Sequence, residues 1–190
     1  MTNTGADSFT FYLGQSGQVI QIATPQDFLN ISKNLQGSYE LTNDIDMTGV
    51  AFTGIAVNNV PFSGMLNGNG HKVKNLSVSF ETGTNKGIFG QTSGAKFNNI
   101  AFENMVVKAP TCNHIGFIGS ALGTTFDQVA ITGRVYGNDH VALLAGDGDA
   151  VTVTNSYVWG DVSAYSQVGG FFGCTLETGA TVSNSYYIVS

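Results

Sequence analysis

The chain has little charge. Only 11% of its 190 residues are Asp, Glu, Lys or Arg, against roughly a quarter in ordinary soluble domains. Seven Lys and Arg are scattered singly among thirteen Asp and Glu, for a net charge of −6. Binding phosphates takes clustered cations, so nucleic acid is not an expected partner, and neither is an anionic lipid surface. Proline is also scarce, at three residues, while 42% of the chain is apolar. That balance argues against disorder. Two cysteines, Cys112 and Cys174, form no disulfide framework and no Cys-x-x-Cys or Cys/His zinc pattern. No run approaches the ~18 apolar residues of a membrane span, so membrane insertion is not expected. Met1 to Asp7 has neither the basic segment nor the apolar core of a secretory signal. No nucleophile elbow, phosphate loop or dinucleotide fingerprint occurs, so no cofactor is expected.

The chain is rich instead in Gly, Asn, Ser and Thr, and these recur at a fixed interval. Lys86-Gly-Ile-Phe-Gly90, Ile115-Gly-Phe-Ile-Gly119, Val141-Ala-Leu-Leu-Ala-Gly146 and Val168-Gly-Gly-Phe-Phe-Gly173 are versions of one pattern, with final glycines 29, 27 and 27 residues apart. A second element trails each: Phe97 to Phe102, Phe126 to Ile131, Val153 to Val158 and Val182 to Tyr187. Short apolar runs punctuated by Gly and Asn at this period predict a solenoid of stacked turns with parallel strands. Val73 to Val78 also matches the second element, 24 residues before Phe97, so the repeat begins ahead of the first glycine match. In the third turn Ala142, Leu143 and Ala145 replace the glycine-rich version, which predicts a tighter or reshaped corner there.

Upstream, residues 8–22 read as two short strands about a Gly-Gln-Ser-Gly turn. Thr24 is a helix cap, Pro25 suits the first helical position and Asp27 the first turn. Phe28, Leu29, Ile31 and Leu35 supply one apolar stripe. The expected layout is one domain over 1–190: N-terminal strands to 23, a capping helix over 24–36, and solenoid turns over 37–190. The helix would cover the open end of the solenoid, while the strand-like run Ser185 to Ser190 would be either paired with another molecule or continued by a longer parent chain.

The repeats resemble the GLUG motif, whose Val-Gly-Gly-Leu-Val-Gly-like core is nearly reproduced by Val168 to Gly173. Asp27-Phe-Leu, Tyr39 to Asp46, Pro61-Phe-Ser-Gly and Leu66 to His71 resemble the segment that precedes such repeats. The likeness covers roughly residues 20–188. It implies an all-β fold, a right-handed parallel β-helix, of the kind found in bacterial surface and secreted proteins and in the non-catalytic part of some immunoglobulin-A proteases. The His-Glu-x-x-His zinc motif of their peptidase part is absent from this sequence. An extracellular or cell-surface location follows from the resemblance.

Candidate chemistry is sparse. Asp44 and Asp46 read as turn carboxylates. Asp147 and Asp149 match a fragment of a calcium loop without its later ligands. His114 and His140 fall 26 residues apart, with Asp139 beside the second, and should stack on neighbouring turns. Asn85 and Gln167 fill similar places in the flanking turns, which makes this a generic polar corner; no metal site and no catalytic set is expected. His71 is a turn residue. Tyr157 and Tyr186 occupy equivalent positions and should stack. Tyr136, Trp159 and Tyr165 are the candidate ligand-binding aromatics, for a glycan or a protein. Phe9, Phe11, Tyr187 and Ile188 are the candidate assembly edge, through which copies of the chain would join. The reading is a non-enzymatic, adhesin-like module, with a self-assembling subunit as the alternative and a polysaccharide-active enzyme third.

Overall fold

The structure is a computed structural model that describes residues 17–176 and 178–190. Phe9, Phe11 and the first of the expected N-terminal strands lie outside these residues. The chain forms a parallel β-solenoid of about five turns with one short helix near its N-terminus. Its larger sheet runs Val19–Ile22, Ser38–Leu41, Met65–Asn67, Lys96–Lys108, Thr125–Tyr136, Val151–Thr154 and Ala180–Ser183, with shorter strands alongside. The second sheet is built around Thr84–Ser93, Asn113–Leu122, the pair Asp139–Ala142 and Ala145–Asp149, and the pair Val168–Gly169 and Phe172–Thr175.

Every rung places the same sequence position above its equivalent. Register pairs Tyr39 with Leu66, Leu66 with Phe97, Phe97 with Phe126, Phe126 with Val153 and Val153 with Val182. This inward column is widest in the middle and narrows toward the C-terminus. The Phe97 and Phe126 rings stack at 5.2 Å with 8° between planes, and Phe89 meets Phe97 edge-on at 5.1 Å. Phe62, Phe102 and Phe117 complete the aromatic filling and are fully buried. Interior aromatic pairs add roughly 0.5–1.5 kcal/mol each beyond their burial.

The helix follows its local signals. Thr24 accepts from the Asp27 amide at 3.2 Å, while Asp27 Oδ2 accepts from the Thr24 amide at 2.9 Å, closing a capping box ahead of Pro25–Leu29. The Thr24 hydroxyl, which also donates to that carboxylate, is the main cause holding Asp27 below its ordinary pKa. A 3-10 segment, Asn30–Lys33, completes the element, and Phe28 and Ile31 point into the core. Its place in the chain differs from the expectation. Val19–Ile22 already pairs in parallel register with Ser38–Leu41. The helix therefore lies within a turn, between two strands of one sheet, rather than ahead of the first turn. It plugs the interior with Phe28, whose ring lies 6.2 Å from that of Phe52, and leaves Val19 and Ile20 partly exposed on the outermost described strand.

The alignment of the early repeat also differs. Val73 pairs with Phe102 and Val78 with Val107, whereas it is Leu66 that pairs with Phe97. The Asn67 to Gly70 turn, with Asn69 and Gly70 at φ 53° and 83°, adds residues between the two halves of that rung and shifts the match. Val73 and Phe97 look alike because both begin an apolar alternation, but they are not stacked.

The corners explain the glycines. Asn85, His114, His140 and Gln167 all hold left-handed backbone, with φ between 49° and 56°. The final glycine of each repeat packs on the left-handed residue one turn back: Gly119 on Asn85, Gly146 on His114 and Gly173 on His140. A Cβ on any of them would come within 3.0 Å of that backbone. The third turn carries one residue more than the second between these points. Val141 still pairs with Ile115 and Ala145 with Ile118, so Ala142 to Leu144 bulge and the strand splits in two. The fourth turn repeats the insertion, pairing Val168 with Val141 and Phe172 with Ala145. The corner is reshaped by lengthening.

Candidate functional site

Two surface features follow from this stacking. The first is a corner on the second sheet. Because Gly146 packs on His114, the residue after it, Asp147, lands beside the His114 ring: Asp147 Oδ2 is 3.1 Å from His114 Nδ1. His140, one turn on from His114, turns its ring edge-on to it at 4.8 Å between centroids. One donor atom from each of His114, His140 and Asp147 lies within 4.8 Å of the others. Asn85 Oδ1 closes the other flank, 2.9 Å from His114 Nδ1. Asp139 Oδ2 approaches His140 Nδ1 to 2.8 Å, but off the direction a hydrogen bond needs.

This corner is short of partners. Asp139 Oδ1, Asp147 Oδ1 and His140 Nδ1 are each buried without a hydrogen-bonding protein group. Asp147 itself is 7% exposed. Leaving one buried polar atom unpaired costs about 1–3 kcal/mol, and among the described residues the buried side-chain atoms without a partner all lie in this corner. The sequence brings His114 and His140 together by period, but it assigns Asp147 to a turn with Asp149. In the structure Asp149 accepts from the Thr178 amide at 3.0 Å, a separate contact. The missed signal is a register rule: the residue after each terminal glycine adjoins the left-handed residue of the preceding turn.

Asp46 and Asp44 are held by hydrogen bonds and contacts to their neighbours. Asp46 Oδ1 accepts from the Thr48 hydroxyl, the Thr48 amide and Asn75 Nδ2 at 2.7, 3.0 and 2.9 Å. Those bonds, the Thr48 hydroxyl first, draw its pKa down to about 2. Asp44 accepts from the Lys72 amide and faces His71 at 3.4 Å. Both cysteines are free, Cys112 buried and Cys174 half-buried.

The second feature is a shallow groove of about 500 Å³ on the larger sheet, floored by Gly133 and Gly160 and flanked by Asn104, Thr132, Arg134 and Trp159. The glycines are dictated by stacking, since a Cβ on Gly160 would overlap the Gly133 carbonyl. Trp159 is the single tryptophan and is 60% exposed. Arg134 Nε donates to Asp161 Oδ2 at 2.9 Å along one side. The Ser190 hydroxyl, more than Arg134, holds Asp161 below the usual carboxylate range.

The three candidate aromatics do not converge. Trp159 pairs in register with Thr132, while Tyr136 pairs with Ser163, four residues along and so about 13 Å away. Tyr165 follows in a loop, held by its amide to the Asn138 carbonyl, with its ring almost wholly exposed. Tyr157 and Tyr186 do stack, at 5.4 Å and 8°. At the last described rung Tyr186, Tyr187, Ile188 and Val182 are all exposed, and Tyr186–Val189 pairs on one side with Tyr157–Ser163.

No family model matches the chain. Part of it is similar to halomucin of Haloquadratum walsbyi, at 31% identity over 143 residues, which are 68% of this chain and 2% of that protein. The fold is similar to the crystal structure of a Bacteroides ovatus protein described as a candidate immunoglobulin A1 protease, with a TM-score of 0.74 and 19% identity. That match spans 93% of this chain and 59% of the other. Both relatives are thus longer than the region they share with it, and the structural likeness concerns the solenoid. Among the described residues no helix is long and apolar enough to cross a membrane.

Proposed function

We propose that the chain is a non-catalytic β-helix module of the GLUG-repeat type, displayed on a cell surface or secreted, and that it binds a glycan or protein along its side. The observation that carries this reading is Trp159. Its indole stands exposed in a groove whose walls offer an amide, a hydroxyl and an Arg–Asp pair. An apolar ring face rimmed by hydrogen-bonding groups suits a sugar ring or a polar peptide, which pair an apolar face with polar substituents. The low charge fits recognition by stacking and hydrogen bonds. Halomucin, itself named as a mucin, supports the placement outside the cell.

The test uses Trp159 as its own reporter. Intrinsic fluorescence is followed while a panel of neutral and acidic oligosaccharides is titrated in. A ligand that shifts the emission, and loses at least tenfold in affinity with Trp159→Ala, supports the reading. Ligands that bind the Trp159→Ala chain undiminished would overturn it for this groove.

A second reading rests on the last described rung. Tyr186–Val189 and Ala180–Ser183 present an open strand edge beside half-exposed apolar side chains, a surface a second copy could extend. Light scattering after size exclusion tests it. Large regular particles that Ile188→Pro disperses would favour assembly, and a monomer near 19.9 kDa would exclude it under those conditions.

A further inference from the structure

We propose that the corner formed by His114, His140 and Asp147 is a binding site for a divalent transition-metal ion of the zinc class. The inference stands apart from the Trp159 groove, which lies on the other sheet.

The donor set is two imidazoles and one carboxylate, contributed by two successive turns. Bonds of about 2.0–2.2 Å put neighbouring donors of a tetrahedral ion roughly 3.4 Å apart. The donors here lie within 4.8 Å of one another, and His114 and Asp147 already stand at 3.1 Å. Small side-chain rotations on a fixed backbone close the rest. Imidazole suits zinc, cobalt, nickel and copper, whereas calcium and magnesium call for six or more oxygens, which this corner does not hold.

Independent observations point the same way. Asp147 is more than nine-tenths buried, and its Oδ1 has no protein partner. A dication beside it would satisfy an atom the fold otherwise leaves orphaned. Asp139 Oδ2, 2.8 Å from His140 Nδ1, adds a second carboxylate to the corner, with its Oδ1 also left without a protein partner. The His114 and His140 side chains are 30% and 21% exposed, enough for an ion to reach them from solvent.

The position gives the ion a role. Asp139–Ala142 and Ala145–Asp149 are the two halves of the strand split by the extra residue. His140 belongs to the first half, Asp147 to the second and His114 to the unbroken strand of the preceding turn. An ion held by all three clips the interruption and ties it to its neighbour.

The test exploits the repeat. His114→Asn and His140→Gln install residue types that the chain already uses at the equivalent left-handed positions 85 and 167, and Asp147→Ser copies Ser120. Fold is therefore expected to survive, and circular dichroism checks it. The chelator-treated chain is titrated with Co²⁺ and Zn²⁺. The expected result is one ion per chain, a visible Co²⁺ d–d absorption, and a rise in Tm with Zn²⁺. Affinity falls at least tenfold in each variant and is lost in the double histidine variant. His71→Asn, the control, is unchanged. Absence of uptake by the parent chain, or uptake that survives the double substitution, would overturn the proposal.

Discussion

Gly146 lies with its Cα against the His114–Ile115 peptide, so close that an added Cβ would fall within 3.0 Å of both the His114 carbonyl carbon and the Ile115 nitrogen. The repeat exists because of contacts like this one. Backbone faces backbone across successive turns, and neither can yield without moving a rung. Gly146→Ala is expected to cost about 3 kcal/mol or more. Gly49, at φ 73° with open space around it, bears only the backbone penalty, and Gly49→Ala should cost about 1 kcal/mol. Urea unfolding of the two variants compares them directly; equal losses would refute the close-approach explanation.

Phe97 touches Phe62, Phe89, Phe117 and Phe126. Truncating it leaves a void bordered by rings that cannot collapse into it. Phe97→Ala is predicted to lose about 3–5 kcal/mol, measured by denaturant melting.

Thr24→Ala removes the capping hydroxyl and one side of the box with Asp27. The expected loss is about 1 kcal/mol, and the near-complete burial of Phe28 means it should register in global stability rather than in local fraying alone.

Asp46 titrates at about 2 in the fold against 3.8 unfolded. A depressed folded pKa favours the carboxylate form, so its contribution is complete above about pH 4 and disappears as pH falls toward about 2. Asp127, lowered first by the Thr154 hydroxyl and then by Asn155, adds to the same acid-side loss. Thermal melts between pH 5 and pH 2, a range chosen to bracket these groups, should show a shallower decline for Asp46→Asn than for the parent chain. Parallel curves would show that Asp46 is not a contributor.

Trp159→Ala should leave stability within about 0.5 kcal/mol, because the indole is mostly in solvent. A larger loss would mean that the ring supports the sheet.

The period, the parallel stacking and the helix start were legible because each rests on local chemistry. Thr24, Pro25 and Asp27 need only their immediate neighbours to specify a cap, and a recurring Gly-apolar-Gly run specifies a corner. What depends on register was not legible. Val73 resembles Phe97 in sequence because Phe97 and Phe102 both lie in an inward–outward alternation, one on each side of the left-handed Asn99, and only the two-glycine turn at 67–70 decides the true match with Phe102. The three candidate aromatics share a region of sequence but not a site, since four residues along a strand carry Tyr136 about 13 Å from the level of Trp159. Asp147 was hidden for a related reason. Its partner His114 is 33 positions earlier, more than one period away, and the two meet only because a glycine between them allows the turns to touch.

The inward column that runs Tyr39, Leu66, Phe97, Phe126, Val153 and Val182 grades the molecule along its axis. Each rung leans only on the rung before and the rung after, so local stability tracks the size of the side chain it contributes. Amides beside Phe97 and Phe126 should exchange with solvent last, and those of the valine rungs earlier. The phenyl rungs are then the keel of the solenoid, the part expected to hold its shape when the lighter valine rungs open.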